Sequence, residues 1–231
     1  MKYILFDIDG TLIDSGGAGT RSFDLAFEDI FTVPDAFRYI SLAGKTDMQI
    51  LKEGLKLHGI DRSNGAVPAF FETYITHLRN TIDKKKGHIK PGVKKALEVL
   101  KSDNGCILGL LTGNIEEGAM IKLRAFGLDS YFQTGAFGDD SENRNKLLPV
   151  AVDKLYERTS LKVGFRDCVV IGDTPSDIEC SKPYGALAVA VATGPYGSKI
   201  LADAGADVVL EDLADTDRFI SALNGAQKPS H

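Results

Sequence analysis

Short, uninterrupted apolar runs alternate with helix-like segments along most of this chain, and this pattern restricts the fold more than any other feature. The runs are rich in Val, Ile and Leu and are bounded by Gly, Asp or Asn; they span residues 3–8, 106–111, 168–171, 187–191 and 208–210. Apolar strands without polar alternation are typical of a parallel sheet that is covered on both faces. The sequence therefore predicts an α/β fold built on a doubly wound parallel sheet.

Residues 15–85 interrupt this alternation, because they contain helix-like stripes and no convincing strand. The stripes include aromatic residues such as Phe23 and Phe70, which we interpret as a hydrophobic core rather than a cofactor-binding site. A glycine-rich segment at 15–19 and a basic segment at 83–87 are the predicted hinges. We therefore expect an α/β core formed by residues 1–14 and 86–231, with an inserted all-helical unit at 15–85.

Charge and composition exclude several classes of protein. The chain has 231 residues, with 27 Lys and Arg against 32 Asp and Glu, which gives a net charge of −5. We therefore expect no nucleic-acid partner, and any bound anion requires a locally placed cation or a metal. No apolar stretch approaches the roughly 18 residues of a membrane span. Three cysteines without a CxxC motif favour a reducing compartment. The expectation is a cytoplasmic protein with no membrane partner.

Two aspartates stand at the end of the first apolar run. Asp7 and Asp9 are two residues apart, so in an extended chain their carboxylates point to the same side. Ligands of open α/β sheets bind at the carboxyl ends of the strands, which is where this pair lies. A turn with solvated acids explains Asp9 but not Asp7, since Asp7 ends an otherwise apolar strand. The pair is therefore predicted to face one pocket.

A second acidic pair follows the apolar run at 168–171. Asp173 ends that strand, Thr174 and Pro175 are suited to begin a helix, and Asp177 falls in its first turn. Asp177 is therefore either a helix-capping carboxylate or part of a metal site, and the sequence leaves both open. Two parallel strands that both end in aspartate place several carboxylates around one point. Their mutual repulsion calls for a hard cation such as Mg²⁺.

A third strand end, Thr112-Gly113-Asn114, offers groups that can bind phosphate. A hydroxyl and free backbone N–H groups at a glycine-containing turn can hold phosphate oxygens, although such a turn is also common without a ligand. A phosphate site needs a cation as well. Arg144 and Lys146 precede a helix-like segment and are the two candidates, unless they are surface charges.

These strand-end segments together resemble the motifs of the haloacid dehalogenase (HAD) superfamily. The segments at 7–11, at Thr112 and at 172–177 resemble its first, second and fourth motifs, in the same order and with the same wide spacing. The helical insert is similar to the cap that follows the first motif in this superfamily. The segments at 43–47 and 192–194 most resemble phosphoglycolate-phosphatase-like members. The resemblance implies a Rossmann-like HAD core with a helical cap.

The same resemblance implies a Mg²⁺-dependent hydrolase of a small organic phosphate monoester. Asp7 would be the nucleophile that forms an aspartyl-phosphate, and Asp9 would act as general acid and then as general base. Asp7, the backbone carbonyl of Asp9 and Asp173 would hold Mg²⁺, with Asp177 in or near that shell. Thr112 would bind the phosphoryl oxygens. Such transfer is catalysed mostly by positioning and charge neutralisation.

The third motif departs from the usual pattern, since no Lys-Pro occurs in the interval where its lysine is expected. Arg144 aligns best by its distance ahead of the following helix, and Lys146 is the alternative. Substrate choice is expected to lie in the cap and its hinge. Arg21, Lys45 and Thr46 are the candidates for contact with the non-reacting end of the substrate.

Three functions are compatible with this pattern. A phosphatase is favoured by the acid at position 9, because dehalogenases and phosphonatases of the superfamily lack a carboxylate there. A phosphomutase of the β-phosphoglucomutase type would use the same residues. A non-catalytic phosphate-binding protein would hold a ligand without turning it over. The sequence is compatible with a monomer or a dimer.

Overall fold

The structure is a computed structural model that describes residues 1–61, 65–83 and 85–225. Lys84 of the second predicted hinge and residues 226–231 at the end of the predicted core lie outside the described residues. The elements within the described residues are, in chain order, β1 (Lys2–Phe6), β2 (Ile13–Asp14), α1 (Ala18–Phe31), α2 (Asp47–Leu57), α3 (Ala66–Thr81), β3 (His88–Ile89), α4 (Val93–Ser102), β4 (Cys106–Leu111), α5 (Glu116–Phe126), β5 (Thr134–Ala136), α6 (Leu147–Thr159), β6 (Cys168–Gly172), α7 (Pro175–Ser181), β7 (Leu187–Val191), α8 (Ser198–Asp203), β8 (Val208–Leu210) and α9 (Thr216–Gly225).

Six of these strands form one parallel sheet in the order β5-β4-β1-β6-β7-β8. Strand β1 lies at the centre, with Phe6 in register with Leu110 of β4 and Ile171 of β6. The chain extends the sheet outward from β1 in both directions, and such folds bind ligands at the carboxyl ends of these central strands. The predicted doubly wound parallel α/β sheet is confirmed.

Both faces of the sheet are covered, which explains why its strands are apolar without alternation. In β1, Ile4 and Phe6 belong to the hydrophobic cluster on one face, and Tyr3 and Leu5 belong to the cluster on the other. Helices α4, α5 and α9 contribute to the first cluster, and helices α6 and α7 contribute to the second. None of the helices in the described part of the chain is both long and apolar enough to cross a membrane.

Helices α1, α2 and α3 of the insert pack around a separate hydrophobic cluster, to which the core contributes Ile115, the N-cap of α5. Its aromatic rings make edge-on contacts, with the centroids of Phe23 and Phe70 5.3 Å apart. Strands β2 and β3 pair antiparallel, with Ile13 opposite Ile89, at the two points where the chain leaves and re-enters the α/β core. This pair brings the two ends of the insert together beside the sheet.

Four strands differ from the sequence-based expectation: β1 is shorter than expected, and β2, β3 and β5 correspond to no predicted strand. Strand β1 ends at Phe6, two residues before the end of the apolar run, because the backbone then turns and Ile8 O accepts hydrogen bonds from Leu12 N and Ile13 N. Strand β5 was not expected, since Thr-Gly-Ala is not an apolar run. Its pairing with β4, rather than its own composition, makes this edge segment a strand.

Candidate active site

The carboxyl ends of three neighbouring strands carry the predicted strand-end residues. Asp7, Thr112 and Asp173 directly follow the last residues of β1, β4 and β6, and all three are buried. The backbone N–H of Asp7 donates to the carbonyl of Ile171, with an N–O distance of 2.9 Å, and so continues the pairing of β1 with β6. The parallel sheet therefore brings residues that are far apart in sequence to one edge.

Asp7, Asp173 and Asp177 form a compact acidic cluster at this edge. One carboxylate oxygen of each lies within 4.8 Å of the others. Burial raises the pKa of Asp7 to about 6. Burial, together with repulsion from Asp7 and Asp177, raises the pKa of Asp173 well above its usual value. A set of oxygen donors without imidazole or sulfur is the chemistry that Mg²⁺ prefers, so these residues fit that ion.

The carboxylate of Asp173 occupies a narrow slot. The hydroxyl of Thr11 donates to Oδ1 at 2.9 Å. A Cβ atom at Gly194 would lie 1.6 Å from Oδ2 of Asp173, and one at Gly10 would lie 2.3 Å from it. Gly10 also has a φ of +87°, which glycine adopts without strain. The turn at Gly10 and Thr11, which follows Asp7 and Asp9, therefore positions the carboxylate of Asp173.

Arg144 provides a positive charge within the acidic cluster. It begins a single 3₁₀ turn, Arg144–Lys146, ahead of α6, and its Nη2 donates to Oδ1 of Asp7 at 2.9 Å and to Oδ1 of Asp177 at 2.5 Å. Its Nε is buried and has no hydrogen-bond partner among the described residues, so a ligand oxygen can satisfy it. Lys146 is exposed. The structure therefore brings Arg144, and not Lys146, to the cluster.

Asp177 makes the contacts of a capping residue and also lies in the acidic cluster, so neither of the two possibilities that the sequence left open excludes the other. Its Oδ2 accepts hydrogen bonds from the backbone N–H of Thr174 at 3.0 Å and from the hydroxyl of Thr174 at 2.7 Å, as a capping residue does. Its Oδ1 accepts from Arg144, and the residue belongs to the acidic cluster. Capping and membership of the cluster are compatible because the two oxygens face different partners.

Asp9 contacts a second buried cation, Lys122, which the sequence reasoning missed. Lys122 Nζ donates to Oδ2 of Asp9 at 2.5 Å and to Oδ1 of Asn114 at 2.6 Å, and only 5% of its side chain is exposed. Burial disfavours the ionised form of Asp9, but Lys122 and Asn114 outweigh this effect and lower its pKa. The available signal was a lysine between Ala119 and Leu123 on the apolar face of α5, since buried lysines require a partner.

The loop after β4 joins the α/β core to the insert. The hydroxyl of Thr112 accepts from Nδ2 of Asn114 at 2.9 Å. The carbonyl of Gly113 accepts from the backbone N–H of Asp47, at the start of α2, at 2.7 Å. A Cβ atom at Gly113 would lie 2.1 Å from the carbonyl oxygen of Lys45. Thr112, Gly113 and Asn114 are therefore brought together, and the glycine permits close approach of the insert.

The strand ends and the insert enclose a cavity of about 440 Å³. Asp47 forms part of its wall, and Oδ2 of this residue accepts from the backbone N–H of Ile115 at 2.9 Å. Burial raises the pKa of Asp47 to about 7, although the nearby Lys122 opposes the rise. The predicted site residues that line the cavity are Asp7, Asp9, Lys45, Thr112, Gly113, Asn114, Arg144 and Asp173.

The three residues predicted to contact the far end of the substrate lie in different environments. Lys45 lines the cavity and pairs with Glu53 at 2.6 Å. Thr46 is buried as the N-cap of α2, and its hydroxyl donates to the carbonyl of Glu142 at 3.0 Å. Arg21 is exposed and donates to a carbonyl of the first hinge. Only Lys45 of the three faces the cavity.

Comparison with curated proteins gives relatives that align with nearly the whole chain. A pyrophosphatase PpaX of Listeria monocytogenes serotype 4b is 27% identical over 92% of this chain and 93% of that protein. A phosphoglycolate phosphatase of Yersinia pestis is 25% identical over 93% of this chain and 91% of that protein.

Solved structures share the fold. A hydrolase from Pseudomonas syringae superposes with a TM-score of 0.74 at 23% identity, covering 96% of this chain and 98% of that one. A β-phosphoglucomutase from Clostridium difficile superposes with a TM-score of 0.74 at 19% identity, covering 97% and 98%. A family model described as haloacid dehalogenase-like hydrolase matches residues 4–191, a range that includes Asp7, Thr112 and Asp173. The resemblance found in the sequence is confirmed, and the chain belongs to the haloacid dehalogenase-like hydrolase family.

Proposed function

We propose that this enzyme is a Mg²⁺-dependent phosphatase that hydrolyses small organic phosphate monoesters through an aspartyl-phosphate on Asp7. The observation that supports this most is the pairing of each acid with its own cation: Asp7 with Arg144, and Asp9 with Lys122. The nucleophile Asp7 and the acid–base residue Asp9 face one cavity beside an acidic cluster, and the contact with Lys122 favours the ionised form of Asp9 that accepts a proton in the second step. The two relatives named as a pyrophosphatase and a phosphoglycolate phosphatase support the same class of reaction.

In the first step, a carboxylate oxygen of Asp7 attacks phosphorus, and the bond from phosphorus to the leaving oxygen breaks. Asp9 gives a proton to that oxygen, which leaves as an alcohol. The unpartnered Nε of Arg144 and the hydroxyl of Thr112 bind phosphoryl oxygens. In the second step, water attacks the phosphorus of the aspartyl-phosphate and Asp9 accepts a proton from the water. The bond from phosphorus to the Asp7 oxygen breaks, which releases inorganic phosphate and regenerates the carboxylate of Asp7.

Asp7, Asp173, Asp177 and the backbone carbonyl of Asp9 are the groups that would hold Mg²⁺. When bound, the ion would neutralise charge on the phosphoryl group. The raised pKa values of Asp7 and Asp173 support this assignment, because three crowded carboxylates are stable as anions only beside a cation.

The insert at 15–85 is proposed to act as a cap that closes over the cavity and excludes water. Its contacts support this role. The backbone N–H of Asp47 donates to Gly113, and the hydroxyl of Thr46 donates to Glu142. Lys45 is the proposed contact for the non-reacting end of the substrate, since it faces the cavity.

Phosphate release from a broad panel of phosphate esters, with and without Mg²⁺, tests the proposal. We expect metal-dependent turnover by the wild type and its loss in Asp7→Asn, which keeps the shape of the side chain. Asp14→Asn is the matched control, because Asp14 lines the same cavity but lies outside the acidic cluster. Acid-quenched wild-type enzyme should carry phosphate on the peptide that contains Asp7. Undiminished turnover by Asp7→Asn would refute the mechanism.

A phosphomutase of the β-phosphoglucomutase type is the second candidate, since the same residues can return the phosphoryl group to a sugar. Isomerisation of a hexose phosphate without net phosphate release would establish it. A phosphate-binding protein without activity is the third. Binding of phosphate esters without turnover in Mg²⁺ would favour this last function over both enzymes.

A further inference from the structure

Lys122 has a bonding capacity that the proposed mechanism leaves unused. An ammonium group has three N–H donors, and Asp9 and Asn114 accept two of them, at 2.5 Å and 2.6 Å. Lys122 also lines the cavity, although little of its surface is exposed. In the part of the chain that the structure describes, Nζ donates to no other acceptor, so its third N–H is available to a ligand that enters this cavity.

The facing wall leaves space beside this ammonium group. Gly19, the second residue of α1, also lines the cavity, and a Cβ atom there would lie only 3.3 Å from Nζ of Lys122. Its φ is not positive, so glycine is not required at this position by backbone conformation. The absent side chain instead leaves open the space next to Nζ.

The position of Lys122 relative to Asp9 decides which part of a substrate it meets. Oδ2 of Asp9 accepts hydrogen bonds from Lys122 and Asn114, so we take the other oxygen, Oδ1, as the one that gives its proton to a leaving oxygen about 3 Å away. Nζ of Lys122 lies 2.5 Å from Oδ2 of the same carboxyl group, and Lys122 is therefore on the leaving-group side of the site. A group one or two bonds beyond the leaving oxygen can therefore reach Lys122, whereas the phosphoryl group faces Arg144.

Two other lysines, Lys45 and Lys90, line the cavity, and neither pairs with the proposed proton donor Asp9. Lys45 pairs with Glu53 at 2.6 Å, and Lys90 lies 3.7 Å from Asp14. Asp47 of the insert interacts electrostatically with Lys122, but its Oδ2 accepts a hydrogen bond from the backbone N–H of Ile115. Burial raises the pKa of Asp47 to about 7, which weakens its negative charge relative to that of an ordinary aspartate at neutral pH.

We propose that Lys122 binds an anionic group on the leaving-group side of the substrate, and that the enzyme prefers phosphate esters or anhydrides whose leaving group carries a negative charge beside the bridging oxygen. This inference rests on the proposed function, because it takes Asp9 as the proton donor. On this inference, phosphates of neutral sugars are poorer substrates than esters or anhydrides with an anionic leaving group. Carboxylate and phosphate are both anions of the required kind.

Three substrates test the preference in the wild-type enzyme: 2-phosphoglycolate, 2-hydroxyethyl phosphate and pyrophosphate. The first two share a two-carbon skeleton and differ in the presence of the carboxylate. A hydrogen bond to a charged group contributes about 1.5–3 kcal/mol, so kcat/KM should favour 2-phosphoglycolate, pyrophosphate or both by about 10- to 100-fold over the neutral ester. Equal use of all three would overturn the inference. Absence of turnover with every ester would instead refute the proposed function.

The ratio that matters is kcat/KM for an anionic substrate divided by kcat/KM for 2-hydroxyethyl phosphate. Lys122→Met should reduce this ratio to near one, even though loss of the contact to Asp9 also slows the neutral ester. Asp9→Asn should slow both esters by the same factor. Lys90→Met removes a cation from the same cavity and should preserve the ratio. If Lys122→Met keeps the wild-type ratio, Lys122 serves Asp9 alone and the inference is wrong.

Gly19→Ala gives an independent test in case Lys122→Met does not fold. Alanine suits a helix better than glycine does, so this variant should stay folded while it narrows the space beside Nζ. We expect KM for 2-phosphoglycolate to rise more than KM for 2-hydroxyethyl phosphate. Equal changes for the two esters would contradict an anion site at this position.

Discussion

Gly194→Ala is the substitution for which the structure predicts the clearest loss of function from a single added methyl group. The new Cβ would lie 1.6 Å from Oδ2 of Asp173, and real Cβ contacts are not closer than 3.0 Å, so the carboxylate must move by 3.0 − 1.6 = 1.4 Å or more. Misplacement of a reacting or binding group by about 1 Å can cost about 10²-fold in rate. We therefore expect kcat to fall by about 10²-fold, with weaker activation by Mg²⁺.

The assay is phosphate release at several Mg²⁺ concentrations, together with thermal unfolding to show that the variant is folded. Gly197→Ala is the matched control, because no atom lies within 4 Å of a Cβ at that position and the backbone φ is −74°. The control should keep wild-type activity. Gly194→Ala with unchanged kcat and unchanged Mg²⁺ dependence would show that the position of Asp173 does not matter, and would refute the reasoning.

Three further predictions concern stability. Arg144→Met leaves Asp7 and Asp177 buried without their cation, so urea unfolding in EDTA should show a loss of about 3–5 kcal/mol; an unchanged midpoint would contradict this. The pKa of Asp47 rises from 3.8 to about 7, so the folded state binds more protons than the unfolded state and stability falls as pH rises from 4 to 7. Urea unfolding across this range should show a weaker pH dependence for Asp47→Asn than for the wild type. Finally, Mg²⁺ at 100 times its Kd should stabilise the wild type by about 2.7 kcal/mol. Removal with EDTA should reverse this, and Asp173→Asn should show little of the effect.

The sequence was sufficient for residues whose position follows from sheet topology alone. Asp7, Thr112 and Asp173 each end an apolar run, and parallel neighbouring strands place such ends at one edge, whatever the details of packing. The same apolar runs predicted a parallel sheet with helices on both faces. This prediction did not require any knowledge of side-chain contacts.

Lys122 was missed because its role depends on a contact that no local pattern contains. It is 113 residues from Asp9 in sequence, and its position on α5 shows only that a lysine falls on an apolar face. The choice between Arg144 and Lys146 had the same cause. They are two positions apart in the sequence, and one 3₁₀ turn buries Arg144 while it exposes Lys146.

Local charge, rather than the net charge of −5, determines what this cavity can bind. Exposed charges are screened over about 8–10 Å at physiological salt, whereas buried groups at the strand ends are screened much less. With all three acids of the cluster ionised and Arg144 protonated, the local sum is −3 + 1 = −2, which repels a phosphate dianion. A divalent cation brings that sum to zero. Affinity for phosphate should therefore be a property of the cation-loaded cluster, and the acidic composition of the chain is compatible with it.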